Sequence, residues 1–138
     1  MVTIVEARTK IYELFLANYT ALPAAQVTAD NENFETPEGL PWGRLSVRHA
    51  TRAQESLGGL GLRKFTSVGA AFFQVFVPKD QGVKQADELA QAARVIFEGV
   101  SIYGNDIRFT SCDIREAGPE DGWYGLVVEA LFQYTETK

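Results

Sequence analysis

A chain of 138 residues, 46% of them hydrophobic, is long enough to fill the core of one domain spanning residues 1–138. Its formal net charge of −5 argues against nucleic-acid binding by the surface as a whole, and no apolar run approaches the ~20 residues of a membrane span. Cys112 is the only cysteine, which excludes an intrachain disulfide.

The first predicted element is a helix that begins after Thr3 and ends near Asn18. Thr3 stands at the N-cap position and Glu6 follows three residues later, the spacing of a capping box. Apolar residues then recur at helical spacing on one face: Ile4, Ala7, Ile11, Leu14 and Phe15.

Strand patterns dominate the middle of the chain. AQVTAD (25–30) is a short strand candidate, NENFETPEGLPWG (31–43) has the composition of an exposed loop, and WGRLSVRHA (42–50) alternates with period two. The segment from Thr51 to Gly61 is interpreted as a mobile loop. The stretch from Lys64 to Val77 is apolar on both faces near its end, which predicts a central strand covered on both sides. Gly69 within it predicts a bulge or a close approach of another chain.

The glycine cluster LGGLGLRKF (57–65) is not a phosphate-binding loop. A phosphate cradle needs a helix after the glycines, whereas β-branched and aromatic residues follow here, and the complete GxxxxGK[ST] pattern is absent.

The second half of the chain predicts a helix and a closing hairpin. A helical apolar stripe runs from Val83 to Phe97, and Gly99 is expected to lie just beyond the helix end. Strands follow over about 106–115 and 123–135, the latter with strict alternation. We therefore predict an α+β domain, with a mostly antiparallel sheet of about four to five strands and two helices packed on it.

Residues that could carry out catalysis are few. His49, the only histidine, falls on an apolar strand face and is expected to be a partly buried structural residue, and Cys112 to be a buried thiol. One histidine and one cysteine cannot form an ordinary zinc site, and Asp30, Glu32 and Glu35 lack EF-hand spacing. We expect no cofactor, no metal and no enzymatic activity.

Charge is unevenly distributed along the chain. Acids cluster from Asp30 to Glu38, and five bases against one acid occupy the range from Arg44 to Lys64. Such segments are either solvated surface or patches that meet on neighbouring subunits. Trp42 is expected either at the edge of the core or as an interface anchor.

Together these segments resemble the tail terminator (tail completion) proteins of long-tailed bacteriophages. The resemblance covers nearly the whole chain: the N-terminal helix, NENFETPEG, WGRLSVRH, GGLGLRKF, VGAAFFQVFVPKDQGVKQADELAQAARVIFEG and the final ALFQYTE. Its most specific part is the apolar strand, the turn from Pro78 to Gly82 and the helix before Gly99.

The resemblance implies a structural role in the virion tail, assembled in the host cytoplasm. A hexameric ring of such subunits would cap the tail tube, stop polymerisation of the tube protein and meet the head–tail connector protein. DNA would pass through the lumen without specific binding, and no membrane would be involved. We hypothesise that Arg44, Arg48, Arg63 and Lys64 face Asp30, Glu32 or Glu35 of a neighbour, with Trp42 at an interface.

Three alternatives stay open at this point. The protein could be another neck or head-completion component, a small ligand-binding domain or enzyme with His49 as its base, or a stand-alone DNA-binding protein. The order of binding to tube or connector would identify a neck component. A convergent polar pocket would support the enzyme or ligand-binding domain, and salt-dependent DNA binding would support the third alternative.

Overall fold

The structure is a computed structural model that describes residues 3–30, 32, 34–80, 82–102, 106–120 and 122–138. Two helices and six strands follow one another along the chain. They are α1 (Ile4–Asn18), β1 (Val27–Ala29), β2 (Trp42–Gln54), β3 (Lys64–Pro78), α2 (Lys84–Phe97), β4 (Ser101–Ile102), β5 (Ile107–Glu120) and β6 (Trp123–Thr137), with a short 3₁₀ turn at Ala24–Gln26. No helix within the described ranges is long and apolar enough to span a bilayer.

The helix ends follow the signals in the sequence. The Glu6 amide donates to the Thr3 hydroxyl over 3.2 Å, so Thr3 caps α1 as predicted, and α1 ends at Asn18. Beyond α2, Gly99 has a φ of 70°. A residue with a Cβ is strained in that conformation, which explains the glycine just past the helix end.

The strands form one six-stranded mixed sheet, a half-barrel with the order β1-β2-β3-β6-β5-β4. β1 pairs with β2 in parallel, whereas the other neighbours are antiparallel. The prediction of a mostly antiparallel sheet of about four to five strands is therefore wrong, although the class remains roughly α+β. β4 has only two residues, too few to show any periodicity, and strand direction leaves no trace in a three-residue strand such as β1.

Both helices pack on the same face of the sheet. Phe15 of α1 lies 4.6 Å from Phe73 of β3 and 5.6 Å from Phe97 of α2, measured between ring centroids. The Tyr19 hydroxyl donates to the Leu89 carbonyl over 3.1 Å and ties the end of α1 to α2. The core therefore lies between the helices and one sheet face, and we name the opposite face the open face.

β3 has the predicted central position, but it is not covered on both sides. Phe73, Val75 and Val77 point into the core and are fully buried. Phe72 and Phe76 point to the open face and are only half-buried, because neither described helix packs there. Their apolar character therefore does not indicate a second layer within this subunit.

Gly69 lies where β2 is irregular. It pairs with His49, and the register of β2 against β3 shifts immediately after that pair. A Cβ on Gly69 would meet the Arg48 carbonyl oxygen and lie 2.7 Å from the Phe132 ring. The glycine thus accompanies both a bulge and a close backbone approach, here within one chain.

The long hairpins extend beyond their predicted ends. β2 continues to Gln54, so residues 51–54 belong to a strand rather than to the predicted mobile loop. β5 continues to Glu120, which replaces most of the loop expected after Arg115. In both cases the strand outlasts its alternating pattern because pairing with the long central strands holds it.

Candidate assembly surfaces

The open face brings together several of the residues singled out from the sequence. Arg44, Ser46 and Arg48 of β2 lie beside Gln74 and Phe72 of β3 and, with Asp30, line a shallow depression of about 310 Å³. Asp30 follows β1, and the parallel pairing of β1 with β2 carries it to this position. The charge pattern of the sequence predicted Asp30, Arg44 and Arg48 as interaction residues, but not that they line one depression of one subunit.

Two arginines on the open face have carboxylate partners in the same chain. Arg48 lies 3.1 Å from Asp30, whose other carboxylate oxygen accepts a hydrogen bond from Ser46 over 2.8 Å. Arg115 of β5 lies 3.1 Å from Glu129 of β6. Arg44 instead lies over the Trp42 ring, 5.6 Å from its centroid. Two arginines on this face, Arg48 and Arg115, are thus neutralised locally, whereas Arg44 and Arg108 form no ion pair with a described residue.

The predicted acidic segment is divided in the structure. Asp30 is held by Arg48 and Ser46, whereas Glu32 and Glu35 are exposed and form no ion pair with the residues that the structure describes. These two carboxylates are therefore accessible to a neighbouring molecule.

Trp42 anchors an aromatic cluster at the end of the sheet where β2 begins. It is only 6% exposed and stacks on Phe76 at 4.3 Å, with Phe34 at 5.3 Å and the edge of Trp123 at 6.2 Å. The cluster covers the edge of the open face at the end where β2 begins and β3 ends. Trp42 itself is part of that edge rather than a protruding anchor.

Arg63 and Lys64 lie at the opposite end of the sheet. Residues 55–63 connect β2 to β3, and we name this connection the hairpin tip. Gln74, the partner of Arg44, follows Lys64 by ten positions in β3, a distance of roughly 30 Å along an extended strand. The four predicted bases therefore form two surfaces rather than one.

Three leucines on the hairpin tip were missed as site residues. Leu57 is fully exposed, and Leu60 and Leu62 are 88% and 73% exposed. The glycines of this segment led to its interpretation as a loop. The three leucines within six residues were an apolar signal that could have identified it as a contact surface. Exposed apolar residues this close together are typical of interaction sites.

A second apolar surface lies between the helices. Leu14 and Asn18 of α1 and Ala92, Val95 and Ile96 of α2, with Val100, line an open groove of about 550 Å³ that we name the helix groove. Val95 is 65% exposed. The amphipathic pattern predicted which residues face the core, but not that apolar residues would also line the outer seam between the two helices.

His49 and Cys112 occupy structural positions. His49 Nε2 and the Tyr134 hydroxyl are hydrogen-bonded at 2.8 Å, and burial together with nearby Arg8 lowers the pKa of His49. Burial raises the pKa of the Cys112 thiol to about 11. The expected partly buried, hydrogen-bonded histidine and the buried thiol are confirmed. No group of three or more potential metal ligands occurs among the residues that the structure describes.

Comparisons with known proteins agree on the family and the fold. The sequence model of one family, described as phage tail terminator protein, matches residues 9–129. One solved structure superposes with a TM-score of 0.69 at 15% identity, covering 96% of each chain, which shows a shared fold. A search of curated protein sequences finds no match.

Proposed function

The chain belongs to the phage tail terminator family and is thus a structural component of the phage tail; from this premise we propose that it forms a ring that caps the tail tube. The ring stops further polymerisation of the tube protein and joins the tail to the head connector. Six subunits per ring is the number that the family resemblance implies.

The observation that carries this proposal is the chemical difference between the two ends of the sheet. One end carries the exposed hydroxyl pair of Thr66 and Thr135, and the other has the aromatic cluster around Trp42. A cap must bind growing tube on one side and a different partner on the other. A subunit with two dissimilar ends suits that task, whereas a subunit with two equivalent ends would favour continued stacking.

Ring closure needs a head-to-tail contact between two different patches. Glu32 and Glu35 supply accessible carboxylates, and Arg44 supplies a base without a carboxylate partner in the described chain. We retain the contact of Arg44 with Glu32 or Glu35 of a neighbour as part of the proposal. Arg48 already has Asp30 as its partner.

Passage of DNA through the ring is compatible with the paired charges of the open face. Binding to the DNA backbone depends on free Lys and Arg side chains that release counterions. Arg48 and Arg115 are paired with Asp30 and Glu129, which lowers the number of free bases that this surface offers DNA. We propose that DNA passes without stable binding.

The proposal is tested by assembling the cognate tube protein with and without this protein. Added at the start of polymerisation, the protein should shorten the tubes, and images should show a ring at one end only. Tubes of unchanged length with bare ends at saturating protein would contradict capping. Binding to the connector without binding to tubes would instead indicate another neck component.

A further inference from the structure

We propose that the hairpin tip of one subunit docks into the helix groove of an adjacent copy of this chain. Each subunit then provides one tip and receives one. This inference rests on the proposed ring and names the contact that closes it.

The hairpin tip has a defined shape before any contact. The Leu62 amide donates to the Gly59 carbonyl over 2.9 Å, and the Glu55 amide donates to the Lys64 carbonyl over 2.7 Å. The Ser56 hydroxyl accepts from the Lys64 amide over 3.0 Å. Because these bonds already order the loop, docking Leu57, Leu60 and Leu62 costs less conformational entropy than ordering a free segment.

The helix groove is a suitable receptor for such a tip. It is an open groove of about 550 Å³, bounded by the C-terminal halves of α1 and α2. Leu14, Val95 and Ile96 give it an apolar floor. The tip of the same chain leaves this groove open and keeps its own leucines exposed, so a second molecule must bring the two together.

Charges beside the two surfaces are complementary. Arg63, Lys64 and Lys138 at the base of the tip have no ion pair with any described residue. Glu98 follows Val95 by three residues and precedes Val100 by two, and its carboxylate is 4.0 Å from Arg94, the limit of an ion pair. Docking would place unpaired cations near a loosely held carboxylate.

Because the contact joins two different patches, it determines which kind of oligomer can form. The tip and the groove are different patches, so a two-fold dimer is not the natural outcome. A chain of tip-to-groove contacts continues from subunit to subunit until it closes.

The first test uses two variants that each keep one half of the contact. The tip variant is Leu57→Ser, Leu60→Ser and Leu62→Ser together, and the groove variant is Val95→Lys, which suits the last turn of α2 electrostatically. Leu40→Ser and Leu16→Lys are matched controls, because both leucines are exposed but lie outside the tip and the groove. Oligomeric mass is measured by light scattering.

Each variant alone should lose the ring, and the two controls should keep it. A mixture should give heterodimers, because one intact tip meets one intact groove. Rings of full mass in either variant would overturn the contact while leaving the ring proposal intact. A tip variant that forms rings yet fails to cap tubes would assign the tip to the tube instead.

Cross-linking tests the contact even where assembly is weak. Leu60→Cys and Val95→Cys chains, mixed at high concentration under oxidising conditions, should form a disulfide-linked dimer. Cys112 is buried, so we expect it not to form disulfides that would compete with the engineered pair. As a negative control, Leu40→Cys mixed with Val95→Cys should give at least tenfold less product. Equal yields in the two mixtures would overturn the contact.

Reversing the charges of Lys64 and Glu98 tests whether these two residues interact across the contact. Lys64→Glu should weaken assembly, and adding Glu98→Lys should restore it. Restoration is not expected if Lys64 merely supports the fold of its own chain. If wild-type protein forms no ring alone or on tubes, the proposed function fails, and the cross-link then decides the contact separately.

Discussion

Arg48 and Asp30 form an ion pair of 3.1 Å within one subunit, although the sequence had suggested that such residues meet between subunits. The pair lies on the open face, beside Ser46, which donates to the same carboxylate. Local pairing of this kind neutralises two arginines of the open face, Arg48 and Arg115, and it has a measurable consequence for DNA binding.

Asp30→Asn together with Glu129→Gln should strengthen DNA binding by the open face. The change frees Arg48 and Arg115, and each free arginine should add roughly −0.9 to the slope of log affinity against log salt. Fluorescence anisotropy of a labelled duplex over a range of salt concentrations measures this slope. Asp80→Asn with Asp87→Asn changes net charge equally without freeing an ion-paired base, and it should leave binding unchanged.

The pair of Arg52 and Glu136 should contribute more to stability. The Glu136 side chain is only 11% exposed, and Arg52 lies 2.8 Å from it while also donating to Ser67. Arg52→Met leaves a nearly buried carboxylate without its partner and should lower the free energy of unfolding by about 1–3 kcal/mol. Urea denaturation at fixed protein concentration measures the loss. Arg52→Met with Glu136→Gln should recover part of it, and equal losses in both proteins would show that the pair itself is unimportant.

Adjacent phenylalanines on β3 should differ strongly in their contribution. Phe73 is fully buried against Phe15 and Tyr19, whereas Phe72 is half-buried on the open face. Phe73→Ala should cost about 3–5 kcal/mol, as large cavities in cores do, and Phe72→Ala clearly less. Equal losses in thermal or urea unfolding would mean that the open face is covered in solution.

Gly69→Ala should destabilise the fold because the new Cβ meets the Arg48 carbonyl oxygen and the Phe132 ring. Gly59→Ala is a matched control on the hairpin tip, where a Cβ meets nothing within 4 Å. We expect a loss of about 2 kcal/mol or more for Gly69→Ala, by the same mechanism as overpacking, and a change within about 1 kcal/mol for Gly59→Ala. Indistinguishable melting temperatures would show that the bulge relaxes freely.

Cys112 should react slowly with alkylating reagents in the native protein. Its pKa is raised from 9.0 to about 11, which lowers the thiolate fraction near pH 8 by about 100-fold, and burial limits access further. Because the thiol ionises more readily in the unfolded chain, this group also makes stability fall as pH rises from about 9 towards 11. Comparing iodoacetamide rates in native and urea-unfolded protein measures the protection; similar rates would contradict it.

Local signals in the sequence predicted several elements well. The Thr3 cap, the glycine after α2 and the alternation along β6 are short-range patterns, and each is confirmed. The bulge that Gly69 predicted is also confirmed, since the register of β2 shifts just after its pair with Gly69. A residue with a Cβ at this position would meet the Arg48 carbonyl oxygen.

Long-range pairing set the limits of what could be predicted. The parallel direction of β1, the two-residue β4 and the extension of β2 to Gln54 all depend on neighbouring strands rather than on local residues. The same holds for the candidate surfaces. Asp30 and Arg48 were named as interaction residues, but their pairing within one subunit follows from the β1–β2 register.

The most direct test of the central claim is electron microscopy of cognate tubes polymerised in the presence of this protein. We expect shortened tubes with a single ring on one end, and rings that are lost when Leu57, Leu60 and Leu62 are changed to serine. Tubes that grow to full length with both ends bare, at saturating protein, would contradict the claim that this chain terminates the tail.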